Sequence, residues 1–211
     1  MIHDPLIPAL PGLLSILAIF TVGVASPGPA TLTILGTAMS EGRSSAIVLS
    51  LGVVTGSFFW GLVAAFGFVA ALQASVVLFT AMKLAGSIYL FYLALRSWWS
   101  ALAGSRMTQL RSVTAGNKRR NYTRGLLMHL ANPKAPLVWM ATLSVGLGEA
   151  VSLPSVVSVV LLCEVIAILT FVGYSFVFST QAASRMFMSI RRQFDAILGL
   201  LFGAAAIKLW I

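Results

Sequence analysis

Six apolar stretches of this chain, at about 13–36, 45–71, 76–98, 125–147, 154–178 and 194–211, each approach the roughly 20 residues that cross a bilayer. Backbone groups in lipid have no water to bond, so such stretches must satisfy their hydrogen bonds internally as helices. Composition agrees: 9% of residues are charged, against about 25% in soluble domains, and the mean hydropathy is +0.97. The chain reads as an all-α polytopic membrane protein of one domain, 1–211, with no length left for a soluble module. Its start, Met1-Ile2-His3-Asp4, carries no basic residue, and no small-residue cleavage site follows a short apolar core. The first segment is therefore expected to stay as a helix rather than leave as a signal peptide.

Two of the segments are interrupted by proline, the first at Ser26-Pro27-Gly28-Pro29 and the fourth at Asn132-Pro133-Lys134-Ala135-Pro136. Proline removes a backbone donor and clashes with the preceding turn, so each segment is expected to be a broken helix. Breaks in matching halves of a small membrane protein point to a midplane site of a secondary transporter. The polar stretch near 103–123 separates the halves, about 1–103 and 124–211, with three segments in each. An odd number of spans brings the second half in from the opposite face, which predicts two inverted three-helix repeats. Segments three and six support the repeat: Lys83, Gly86, Tyr89 and Arg96 are matched in order by Asp195, Gly199, Phe202 and Lys208.

The formal charge of +9 is concentrated in three loops, with Arg43 after segment one, Arg106 to Arg124 after segment three, and Arg185 to Arg192 after segment five. The positive-inside rule makes these loops cytoplasmic and puts both termini outside. In that setting Lys118-Arg119-Arg120 reads as a topology determinant beside anionic lipid and not as a nucleic-acid patch. Glycines at helix-packing intervals, Gly52 and Gly56 in segment two, Gly86 in segment three, and Gly199 and Gly203 in segment six, let neighbouring helices approach closely. Packing within the chain is the simpler use of these notches, and a homodimer is compatible with them. Trp98, Trp99 and Trp210 fall where helices should leave the bilayer and suit interfacial anchoring. The single cysteine, Cys163, excludes an internal disulfide or a CxxC couple and reads as apolar filler.

An ionisable group in hydrocarbon costs at least about 2.5–3.5 kcal/mol, so each one needs a reason. Lys134 lies roughly 9 residues, about 13 Å, into segment four, and Glu164 lies at similar depth in segment five. They form either a structural ion pair or the two poles of a site for a zwitterion. The break beside Lys134 favours a site, because half-helix amino ends attract anions and free carbonyls attract cations. Asn132 either caps the second half-helix or contacts ligand. His129, one turn before Pro133, is a satisfied polar group or a proton relay. Lys83 can snorkel to the outer surface, and Asp195 reads as a cap of segment six. The sequence holds no G-x-S-x-G, H-E-x-x-H, Walker-A or Cys/His cluster, which argues against an intramembrane serine protease, a zinc enzyme and an ATP-driven pump. No cofactor or metal is expected, and an ion gradient would have to drive any uphill transport.

Taken in order, Ser26-Pro27-Gly28-Pro29-Ala30, Glu41-Gly42-Arg43, Leu51-Gly52 with Gly56, Lys83-Leu84-Ala85-Gly86 with Tyr89-Leu90, Arg124-Gly125 and Asn132-Pro133-Lys134 give the chain a pattern that resembles the lysine-exporter (LysE/RhtB) family of bacterial amino-acid exporters. The resemblance implies an inner-membrane carrier that exports amino acids or related metabolites in exchange for protons. Glu164 and His129 match no hallmark of that family, and their roles rest on burial. The expected site therefore comprises Ser26, Pro27, Gly28, Pro29, Asn132, Pro133, Lys134 and Glu164 for substrate, with Glu164 or His129 handling the proton. The scarcity of buried acids leans the substrate toward neutral amino acids. An inorganic-ion exporter, and an enzyme or scaffold embedded in the membrane, stand as the alternatives.

Overall fold

The computed structural model describes residues 10–74, 76–103, 117–147 and 152–210. They form the helices α1 (Leu10–Ala25), α2 (Pro29–Ser40), α3 (Arg43–Ala74), α4 (Val76–Ala103), α5 (Lys118–Leu130), α6 (Lys134–Gly146), α7 (Leu153–Val177) and α8 (Gln181–Trp210). The described residues contain no strand. Most of the basic loop at 103–123, the Lys83 and Trp210 side chains and the first residues lie outside the described set.

Both expected breaks are present. Pro29 opens α2 at a position where a missing N–H costs nothing, and Gly28 before it is fully extended (φ −154°, ψ −176°). The axis turns by 51° there. In the second break Asn132 Oδ1 accepts from Lys134 N at 3.1 Å, so the amide side chain caps the start of α6. Pro136 falls in the first turn of α6, among the N–H groups that have no intrahelical partner anyway.

By length and composition α3 and α7 each suffice to cross a bilayer, and α1 with α2 does so as one bent span. The other expected spans are less apolar. Helices α4 and α8 carry charges, and α5 and α6, 13 residues each, reach the length only together. Segment six starts earlier than expected, since α8 begins at Gln181 and not near 194. Asp195 therefore lies in mid-helix, which corrects its reading as a cap.

Helices α3 and α7 run antiparallel. Ser50 Oγ lies 2.8 Å from Ser175 Oγ and donates to Phe171 O at 3.0 Å, while one end further along Ser57 meets Glu164. Helices α4 and α8 are likewise antiparallel, with Ser87 Oγ donating to Ala206 O and Ser100 Oγ to Asp195. Small residues set these distances. Gly52 of α3 faces the Tyr122 carbonyl of α5, and Gly125 of α5 faces the Leu49 carbonyl of α3. A Cβ at either position would collide with backbone. Gly56 abuts His129, and Gly199 takes the Trp98 indole, so Trp98 packs into the α4–α8 seam as well as reaching the surface. Gly203 lies opposite Ala94, and Gly86 is buried. Cys163 is fully buried in the core.

One end of the bundle gathers the loop residues. Gly42 turns the chain from α2 to α3 with φ +85°, a conformation that favours glycine. Beside it Glu41 accepts from Asn121 Nδ2 at 2.9 Å and lies 4.0 Å from Arg124, while Arg43 donates to Ser179 Oγ and covers the Phe176 ring. These contacts tie α2 and α3 to α5 and α7.

Replacing Gly125 with alanine is expected to destabilise the purified protein by about 1–3 kcal/mol, because the Leu49 carbonyl cannot yield without moving α3. Gly173→Ala, where nothing lies within 4 Å of the added carbon, is expected to be neutral. Thermal unfolding of both variants in detergent measures the difference.

Candidate functional site

The end of α1 exposes carbonyls that proline keeps from pairing within the helix, and side chains from elsewhere in the fold supply the donors. Ser26 N bonds Val22 O and Ser26 Oγ bonds Gly23 O, which closes the last turn. Tyr174 of α7 donates its hydroxyl to Ala25 O at 2.9 Å. Lys134, the first residue of α6, donates Nζ to Ser26 O at 2.9 Å and also to Ser26 Oγ. The two breaks thus meet through one ammonium group. The Gly28 Cα lies under the same lysine: a Cβ there would sit 3.4 Å from Nζ.

On the α3/α7 side of this junction is a cavity of about 30 Å³, room for about one water. It is lined by Ser26, Gly28, His129, Asn132 and Lys134, together with Phe20, Ser57, Trp139 and Phe171. Trp139 and Phe20 pack at 4.5 Å between ring centroids, and His129 meets Phe171 edge-on at 6.0 Å. Behind the wall, Trp139 Nε1 donates to Ser57 Oγ at 3.3 Å and Ser57 Oγ donates to Glu164 Oε2 at 3.2 Å. Glu164 is 7% exposed and His129 6%. Glu164 Oε1 and His129 Nδ1 have no hydrogen-bond partner among the described residues. A second cavity, of about 90 Å³, lies on the α4/α8 side and shares Ser26, Gly28 and Lys134 with the first.

Of the residues expected from sequence, Ser26, Gly28, Asn132, Lys134 and His129 line one cavity, and Pro27 lines the second. Pro29 and Pro133 shape the breaks without lining either. Glu164 reaches the first cavity only through Ser57. The ion-pair reading of Lys134 and Glu164 is corrected: the lysine is bonded to Ser26 and the carboxylate to Ser57, and no salt bridge joins them. The reason is the broken helix itself, whose carbonyl supplies the lysine with an acceptor. Sequence reasoning missed Ser57 and Trp139 of the first cavity, Arg96 and Ser100, which line the second, and Tyr174. Tyr174 and Trp139 each put a polar tip inside an apolar span, which is the signal that could have marked them.

The LysE type translocator family matches residues 21–211. The threonine efflux protein of Escherichia coli (strain K12) is 25% identical over 199 residues, covering 94% of this chain and 97% of that protein. The leucine efflux protein of Enterobacter sp. (strain 638) is 26% identical over 190 residues, 87% of each chain. An uncharacterized membrane protein of Bacillus subtilis (strain 168), YrhP, is 29% identical over 134 residues. No solved structure matches. With nearly its whole length covered, both helix breaks included, this chain is similar to membrane proteins that expel small solutes, and it belongs to the LysE type translocator family.

Proposed function

We propose that the protein is a secondary active exporter of amino acids, neutral ones in particular, that exchanges them for protons across a bacterial inner membrane. The observation that carries this reading is the meeting of the two breaks at Lys134. A cation, helix-end carbonyls without a partner in their own helix and a glycine without a side chain converge between helices of both halves, beside a small, mostly apolar cavity. A zwitterion needs both poles: Lys134 receives its carboxylate, and the Ser26 carbonyl that the lysine leaves in doing so receives its ammonium. The efflux functions named for the relatives in Escherichia coli and Enterobacter support the same substrate class. Ser26, Pro27, Gly28, Pro29, Asn132, Pro133 and Lys134 form the substrate region in this reading. The chain crosses the membrane six times as two inverted repeats, with the basic end in the cytoplasm and both termini outside.

Proton coupling falls to Glu164, which stands behind the first cavity through Ser57, or to His129, which lines it. Each keeps one buried polar atom without a partner among the described residues, and each can take or release a proton when access alternates. The cavity holds about one water, so the geometry suits a closed conformation in which an amino acid is admitted only after helices separate.

Proteoliposomes loaded with a labelled amino-acid mixture are expected to release one class of amino acid, faster when an inward proton gradient is imposed. Lys134→Ala and Pro27→Ala should reduce release to background while the protein remains folded in the membrane; wild-type rates in both variants would sink the site. Glu164→Gln is expected to keep downhill release and lose its acceleration by the gradient. Retained acceleration removes Glu164 from coupling. For topology, a cysteine at Asn117 in a Cys163→Ser background should react with a membrane-impermeant maleimide in inverted vesicles and stay protected in right-side-out ones.

A further inference from the structure

The geometry points to a second substrate-binding site, on the α4/α8 side of the breaks, in which Arg96 and Lys134 hold the α-carboxylate and Asp195 the α-ammonium of an amino acid. This inference rests on the exporter reading above and adds Arg96 and Asp195, which that reading does not use. The cavity of about 90 Å³ has the volume of about three waters, against one on the other side, and it reaches the surface at exposed Arg96. Its charged lining is two cations and one carboxylate, so it offers partners of both signs for the two poles of a zwitterion. Guanidinium matches a carboxylate with two parallel N–H donors, which an ammonium cannot do.

Asp195 is the unexpected member. It is 3% exposed in the middle of a helix, where a carboxylate is costly, and Ser100 Oγ donates to its Oδ2 at 2.6 Å. That bond fixes the carboxylate while it faces the cavity shared with Lys134. Leu93 and Phe202 supply an apolar wall, and Ser97 and Ser100 supply hydroxyls, a lining that suits a small uncharged side chain. Lys134 borders both cavities and is held on Ser26, so it stands as the partition between the two sites. A substrate carboxylate bound at Arg96 is thereby within reach of the same lysine that faces the first cavity.

The test is equilibrium binding of labelled L-threonine and L-leucine to the purified protein in detergent, with the corresponding amino-acid amides as competitors. The amides keep the ammonium and lack the carboxylate. Arg96→Gln is expected to weaken binding of the amino acids by about tenfold or more and to leave the amides unaffected. Asp195→Asn, which keeps an acceptor for Ser100, is expected to weaken amino acids and amides alike. A general structural defect would not discriminate between the two ligand types, and exposed Arg96 can be replaced without disturbing the core. Wild-type affinity in Arg96→Gln, or an equal loss for amino acid and amide, overturns the site. Efflux from proteoliposomes separates this from the exporter reading. Release by wild type with unchanged half-saturation in both variants sinks the second site alone, whereas folded wild type that neither binds nor releases either amino acid sinks both.

Discussion

The hydrogen bonds made to the broken end of α1 are the contacts on which the rest of the arrangement depends. In a low-dielectric interior an unpaired carbonyl costs on the order of a few kcal/mol, so a helix can stop in mid-bundle only if other elements bring donors to it. Tyr174 from α7 and Lys134 from α6 do so, and each fixes the distance between its own helix and α1. The buried ammonium is satisfied by the same contact. A lysine that would need a counter-ion in an intact bundle finds its acceptors in backbone and serine oxygen, which is why Glu164 is free to bond Ser57 instead.

Around that junction the bundle uses two kinds of contact. Helices α3 and α5 meet backbone to backbone through Gly52 and Gly125, with little side-chain material between them. Helices α3 and α7, and α4 and α8, instead exchange serine hydrogen bonds at several levels. Polar contacts of this kind cost little to break and remake compared with interlocked backbone, since a freed hydroxyl can return to the carbonyl one turn back in its own helix. The cavities lie between these hydroxyl-bearing and glycine-bearing seams.

The helix breaks, Lys134 and His129 were legible in the sequence because proline and ionisable residues are conspicuous within apolar runs. The pairing of the breaks was not. Ser26 and Lys134 are 108 residues apart, Ala25 and Tyr174 are 149, and no local pattern marks which distant donor serves which carbonyl. Hydroxyls were the hardest to read. Thr21, Thr33, Ser144 and Ser158 each bond the carbonyl four residues back in their own helix, whereas Ser50, Ser57 and Ser100 reach across to another. In sequence the two groups look alike. Asp195 was misplaced for a different reason: the stretch before it is polar enough to resemble a loop, yet it forms the first half of α8. Length and charge also explain why the apolar count marks fewer spans than the expected six, since α5 begins with a basic turn and α8 with a mixed one.

The reciprocal glycine contact between α3 and α5 also restricts how the bundle can move. Sliding α5 along α3 by about one turn would bring Tyr122 or His129 opposite the Leu49 carbonyl, where not even a methyl group fits. The seam behaves as an axle: it tolerates a small rotation and forbids sliding. A change of shape that opens a path would therefore start at the two cavities beside Lys134, with the α3–α5 pair carried as a fixed frame.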